Sequence, residues 1–179
     1  SMSKQPVIFT QNISESIDEI LSRYSYDKLF VLTDWNTFKF AFPLLENSKL
    51  CSNAEQIIIE ADDTHKNLEA LTSVWKILSD KHATRRSFMI NLGGGMVTDL
   101  GGFAASTFKR GIRYINIPTT LLGAVDAAVG GKTGINFNGL KNEIGVFNPA
   151  ESVLISTVFF KTLSRDCLLY TSPSPRDLS

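Results

Sequence analysis

The sequence is poor in several residue types and patterns, and each scarcity removes a class of function. Its two cysteines, Cys51 and Cys167, lie far apart with no metal-type spacing, so neither a disulfide framework nor a cysteine metal site is encoded. That usage fits a reducing compartment, and the cytoplasm is the expected location. The two histidines, His65 and His82, are isolated from one another and read as solvated residues at helix ends. Eighteen basic residues balance eighteen acidic ones, so no global field favours nucleic acid or an anionic membrane. Any anion must be recognised by a local site. No apolar run reaches transmembrane length, and the first residues lack the continuous hydrophobic block of a secretory signal.

What is present is an ordinary globular composition, 43% hydrophobic and 20% charged over 179 residues, enough for one domain with a real core. Residues 6–10, 28–33, 56–60, 87–92 and 114–118 read as five strands. Helical periodicities fall between them: Ile13, Ile17, Ile20 and Leu21, with Asn12 or Ser14 as cap; Leu68, Leu71, Val74, Trp75 and Leu78; Leu100, Phe103 and Ala104. Strands alternating with helices predict an α/β domain with a Rossmann-like, mostly parallel sheet and helices on both faces. Ligands of such sheets gather at the carboxyl ends of strands. Asp34, Asp63, the stretch from Gly93 to Asp99, and Thr119-Thr120 all fall at such ends, which predicts one shared site.

The central stretch is Asn91-Leu92-Gly93-Gly94-Gly95-Met96-Val97-Thr98-Asp99. Glycines without Cβ let backbone N–H groups approach an anion, and a helix starting at about Met96 aims its positive dipole end at the same point. The plain alternative is a tight strand-to-helix turn, because this is not the full dinucleotide fingerprint. Asp34, after the second strand, admits two readings of equal weight: a ribose-binding acid or the cap of a helix through Phe38 and Phe40. Gly101, Gly102, Ala104 and Ala105 permit close packing of the next helix. Further on, small residues surround Asp126, Lys132, Lys141 and Asn142. Taken singly, Asp126 is a surface acid and Lys132 a solvated loop lysine, but their clustering argues otherwise. Gly130-Gly131-Lys132-Thr133 lacks the Walker spacing, so a P-loop is excluded.

Five ordered blocks resemble the 3-dehydroquinate synthase family of sugar-phosphate cyclases: Gly93-Gly94-Gly95 with Asp99; Phe108-Lys109-Arg110-Gly111; Pro118-Thr119-Thr120-Leu121-Leu122; Asp126 with Gly130-Gly131-Lys132-Thr133-Gly134; and Lys141-Asn142-Glu143-Ile144-Gly145. The resemblance implies a carbon-oxygen lyase that closes a seven-carbon keto-acid phosphate into a carbocycle with NAD and a divalent metal, zinc or cobalt. It assigns Asp34, Asn36, Asp63, Lys66, Gly93, Gly94, Gly95, Met96, Val97, Asp99, Thr119, Thr120, Leu122, Lys132, Lys141, Phe160, Lys161 and Thr162 to the cofactor. It assigns Asp126, Lys132 and Asn142 to the substrate, and has Arg110 reach the substrate phosphate across a homodimer interface.

The resemblance also implies what this chain lacks. Family members continue into a helical domain that supplies the metal ligands, a glutamate and two histidines. Here no Glu follows Glu151 and no His follows His82, so no metal ligand is assigned. The expected domain runs over residues 1–163. Residues 164–179 have neither helical nor strand period and read as a non-native or disordered tail, with Pro173 and Pro175 where a helix should run. The expectation is a fragment inactive by itself that at most binds NAD. Another sugar-phosphate cyclase and a non-catalytic nucleotide-binding module are the alternatives.

Overall fold

The computed structural model describes residues 5–60 and 66–160. Six parallel strands form one sheet in the order β1 (Val7–Phe9), β8 (Ser152–Ile155), β5 (Arg113–Pro118), β4 (Phe88–Gly93), β2 (Leu29–Asp34) and β3 (Glu55–Ile59). Helices α1 (Ile13–Leu21), α2 (Trp35–Phe40), α3 (Leu68–Asp80), α4 (Gly95–Thr107) and α5 (Leu121–Val129) connect them. A separate two-stranded antiparallel ribbon joins β6 (Lys132–Phe137) to β7 (Leu140–Phe147). All five strands read from the sequence exist, shifted at their ends by a residue or two, while β6, β7 and β8 lie where no strand was expected.

Both faces of the sheet are covered, which is why β2 and β4 are buried along their whole length and read as unbroken apolar runs. Phe88, Ile90 and Leu92 point into a layer with Ile13, Ile17 and Leu21 of α1. Met89 points the other way, into a layer with Leu71, Val74 and Leu78 of α3 and Leu100 and Ala104 of α4. Asn12 is the cap of α1, its side chain accepting from Glu15 N at 3.2 Å. The stripe of α3 is core at Leu71, Val74 and Leu78, but Leu68 is exposed, and half-buried Trp75 donates its Nε1 to Thr107 Oγ1 at 3.0 Å.

Close approach governs where α4 sits. A Cβ on Gly101 would lie 2.1 Å from Asn91 Oδ1 and 2.7 Å from Leu32 Cδ2, and one on Gly102 would lie 2.5 Å from Thr133 Cγ2. The helix therefore touches the sheet with one glycine and the β6–β7 ribbon with the next. The ribbon turns at Asn138 and Gly139, both with positive φ, as a two-residue hairpin turn requires. The connection from β2 leads outward to β3 and that from β4 leads the opposite way to β5, so adjacent strands β2 and β4 flank the topological switch point, where α/β sheets open a ligand crevice. Asp34 and Gly93 end those two strands.

Among the described residues no helix is long and apolar enough to cross a membrane. Cys51 is free and buried, and burial pushes its thiol up to about 11. Cys167 and the expected tail at residues 164–179 lie outside the described residues. Replacing Gly101→Ala is expected to destabilise the fold by about 1–3 kcal/mol in urea unfolding, because neither the sheet nor Leu32 can retreat freely. The Cys51 thiol is expected to resist a thiol reagent at pH 8 until the chain unfolds. The stability linked to keeping it protonated is complete below its ordinary value of 9.0 and lost as pH rises through about 11, which a pH series of melts would read.

Candidate cofactor-binding site

The site is built where β4 and β5 end. Gly93 O accepts from Thr119 N at 2.9 Å, tying the two strand ends together. Directly after them begin α4 and α5, so two helix N-termini converge on one place. Gly94 is the N-cap of α4, with extended backbone and no side chain to cap the helix. The first helix bond runs from Thr98 N to Gly94 O at 3.1 Å, which leaves the N–H groups of Gly95, Met96 and Val97 without an acceptor among the described residues. A Cβ on Gly95 would meet nothing within 4 Å, so the space in front of those amides is open. Thr120 caps α5 by accepting from Gly123 N at 3.0 Å, and a Cβ on Gly94 would lie 3.5 Å from its Cγ2. Unpaired amides and aligned dipoles facing open space form an anion seat.

A lysine network borders this seat. Lys66 is only 4% exposed, and its Nζ binds Asp99 Oδ2 on α4 at 3.1 Å and Asn142 Oδ1 on β7. Its carbonyl accepts from Asn136 N at 2.7 Å, and Asn136 Oδ1 accepts from Asn142 N at 3.0 Å. Asn142 sits at positive φ in the irregular part of the ribbon, where three residues of β7 oppose one of β6. Lys66 thus couples α4, the ribbon and the segment before α3 at one ammonium.

Most of the residues assigned from the sequence meet here. Gly93, Gly94, Gly95, Met96, Val97, Asp99, Thr119 and Thr120 form or flank the seat, although the Val97 side chain is core and fills the space a Cβ on Gly93 would take. Exposed Asp126 near the end of α5 and exposed Lys132 at the start of β6 line one polar cavity with Gly95, Thr98 and Asp99. Lys141 is exposed on β7, and Leu122 is exposed on α5. Asp34 at the end of β2 caps α2: its Oδ1 accepts from Thr37 N at 2.8 Å and Thr37 Oγ1 at 3.1 Å. Of its two readings the cap is realised, and Asn36 follows it as an exposed first-turn residue. Phe160 packs half-buried against Val153 and Ile155. Asp63, Lys161 and Thr162 lie outside the described residues.

Arg110 is placed elsewhere. It follows α4 at the amino ends of the strands, in a polar depression with Arg85, Arg86 and Arg113. The 13 residues of α4 set it about 20 Å from the seat. Sequence reasoning missed Asn91 and Asn116. They are register partners in β4 and β5, and Asn91 Nδ2 donates to Asn116 Oδ1 at 3.0 Å. The available signal was an asparagine interrupting an apolar run at the same place in two strands. Burial also raises the pKa of Tyr114, whose hydroxyl donates to Asn148 O, so it stays protonated.

A mostly parallel sheet with helices on both faces and a crevice at its switch point defines the class as a Rossmann-like α/β domain. Solved structures of the same shape include sugar-phosphate cyclases. A 2-epi-5-epi-valiolone synthase from Streptomyces hygroscopicus subsp. jinggangensis with NAD+ and Zn2+ bound matches with a TM-score of 0.76 and 28% identity over 89% of this chain and 44% of that one. A 2-deoxy-scyllo-inosose synthase complexed with carbaglucose-6-phosphate, NAD+ and Co2+ matches with a TM-score of 0.76 and 26% identity over 86% of this chain and 43% of that one. The model of the 3-dehydroquinate synthase N-terminal family matches residues 56–169, and the chain belongs to that family. It is 52% identical to the 3-dehydroquinate synthase of Parabacteroides distasonis over 94% of its own length and 48% of the relative's. The chain therefore spans about half the length of the curated relatives it matches.

Removing the charge with Lys66→Met is expected to cost about 1–3 kcal/mol, the lower end reflecting the partly exposed Asp99. Hydrogen exchange should show faster exchange at the Asn136 and Asn142 amides, while the α1 side of the sheet keeps its protection.

Proposed function

We propose that this chain is the cofactor-binding half of a 3-dehydroquinate synthase, a carbon-oxygen lyase of aromatic amino acid biosynthesis acting on 3-deoxy-arabino-heptulosonate 7-phosphate. The observation that carries the dinucleotide assignment is the set of three unpaired α4 amides facing space that a Cβ on Gly95 would enter. NAD bound there supplies a hydride acceptor for a substrate hydroxyl. The amides of Gly95, Met96 and Val97 hold its diphosphate, and Thr119 and Thr120 hold the strand ends in place around it. The carboxylate of Asp34 is half used, since only Oδ1 is engaged by Thr37, and Oδ2 is the oxygen offered to a ribose hydroxyl.

Asp126 and Lys132 would face the substrate with opposite charges, the acid accepting from hydroxyls and the ammonium holding an anionic group. Asn142 is set in position by Lys66 and Asn136. Arg110 suits a substrate phosphate by its bidentate geometry, but about 20 Å separates it from its own seat. Only a second copy could present it, so the assembly we propose is a homodimer, located in the cytoplasm. Among the described residues no three of His, Cys, Asp and Glu come together, so the residues present do not fit a metal and no step is assigned to one. By itself the chain is expected to bind NAD without turning over.

The test separates cofactor loss from misfolding. Gly95→Ala has room for its methyl in the folded chain and gains helix propensity, so its melting temperature should hold or rise. The methyl would occupy the place of the diphosphate, so calorimetry should show NAD affinity falling at least tenfold. Unchanged affinity, or no heat from the unaltered chain, would remove the assignment.

A further inference from the structure

The β6–β7 ribbon has an open edge. Among the described residues β7 pairs only with β6, and it is exposed along its whole length. Asn148 N donates to Gly131 O at 2.7 Å in continuation of the ladder. By antiparallel alternation, Ile144 and Val146 then turn their backbone groups to β6, while Glu143, Gly145 and Phe147 turn theirs outward. Unpaired edges of this kind accept a further strand. No proline in β7 blocks one, and the edge is apolar, with Ile144 and Val146 each 39% exposed and Phe147 53% exposed.

What the edge receives follows from where its two ends lie. Asn142, at positive φ, closes the regular stretch on one side and is held by Lys66 beside the anion seat. At the other end Val146 and Asn148 line the depression that contains Arg85, Arg86, Arg110 and Arg113. The extended chain from Asn142 to Asn148 covers about 20 Å, the length by which α4 sets Arg110 away from the seat. The regular edge between them, residues 143–147, has Gly145 at its middle. We propose that a second copy of this chain docks antiparallel on the β7 edge, with the twofold axis at Gly145. Glu143 then stands opposite the partner's Phe147, Ile144 opposite the partner's Val146, and Asn142 opposite the partner's Asn148. Each copy's seat end meets the other's basic depression. The charges agree, because exposed Glu143 has no ion pair among the described residues, and neither do Arg85 and Arg110 in the depression it approaches. The half-exposed β-branched pairs cover one another across the new ladder. This rests on the homodimer reading above and deepens it by naming the interface that carries Arg110 toward Asn142.

Sedimentation equilibrium of this chain over a concentration series is expected to show a dimer. Ile144→Lys with Val146→Lys sets like charges opposite each other twice and should weaken association roughly tenfold or more. Ile144→Glu with Val146→Lys sets opposite charges there and should restore it. Both double variants put two charged groups at the same two positions, so a difference between them reports register rather than folding. If they do not fold, Glu143→Cys with Phe147→Cys in a Cys167→Ser background still decides. A hydrogen-bonded antiparallel pair holds its Cα atoms about 5.5 Å apart, within disulfide reach, whereas those two positions in one strand are about 13 Å apart. Oxidation should therefore give a covalent dimer. Equal association of the two charge variants, or no covalent dimer, overturns the β7 interface and leaves the homodimer standing. An unaltered chain that stays monomeric overturns the homodimer reading, and the interface with it.

Discussion

Three helix amides are left without acceptors among the described residues, and much of the domain is arranged so that this can be tolerated. A helix start normally satisfies its free N–H groups with a capping side chain. α1, α2, α3 and α5 do so through Asn12, Asp34, Asn67 and Thr120. Among these five helices only α4, which follows the central strand, begins at a glycine with no such cap. Leaving that end bare requires that its backbone be held by other means. Gly93 O is bound by Thr119 N, Val97 fills the space above Gly93, and Thr98 Oγ1 returns to the Gly94 and Gly95 carbonyls at 3.3 and 3.2 Å. The turn is fixed from behind and open in front, so little ordering remains to be done when an anion arrives.

The same logic explains the close seating of α4. A helix whose first turn must present amides at a defined point cannot slide, and Gly101 and Gly102 lock it between Asn91 below and Thr133 beside it. The ribbon is then more than a surface flap. Ile135 is buried in the α3–α4 layer, and Lys66 ties Asn142 to Asp99. β7 itself is exposed along its whole length, so the ribbon owes its position to one strand, one lysine and the glycine face of α4.

How much of this was legible in the sequence follows from what each residue depends on. The five strands and the parallel class were readable because burial on both faces writes continuous apolar runs, a local signal. The Gly93-Gly94-Gly95 turn was readable because absent side chains are themselves local. The ribbon was not legible, although Asn138-Gly139 is a strong hairpin signal, because its strands carry Lys, Asn and Glu and lack the continuous apolar run of the buried strands. Its partner is α4, distant in sequence, and residues 152–155 resemble any short apolar run until the space beside β1 is known. Asp34 illustrates the limit: cap and ligand need the same acid at the same strand end, and only the structure shows that Thr37 takes one carboxylate oxygen for the cap. Asn91 and Asn116 depend on register, which no single strand contains.

α4 also acts as a ruler, and its two ends oppose each other in character. At its start the backbone is relaxed and polar groups lie free. Beyond its end Lys109 and Arg110 both take positive φ, at 47° and 70°, before Gly111 at 120°. For residues with a Cβ that conformation costs roughly 1–2 kcal/mol each. The turn is nevertheless held, with Gly111 N bound to Phe108 O at 2.8 Å and Ile112 N to Ala105 O at 2.7 Å. Strain of this kind persists where the surroundings over-determine it, and here it turns a lysine and an arginine outward rather than back onto the helix carbonyls they would otherwise cap. Because a rigid helix separates this basic turn from the anion seat, no rearrangement within the chain can bring Arg110 to Asp126 and Lys132 without unfolding α4. A single copy offers an anion seat at one end and a basic turn at the other, and it is the proposed homodimer that would bring one of each together.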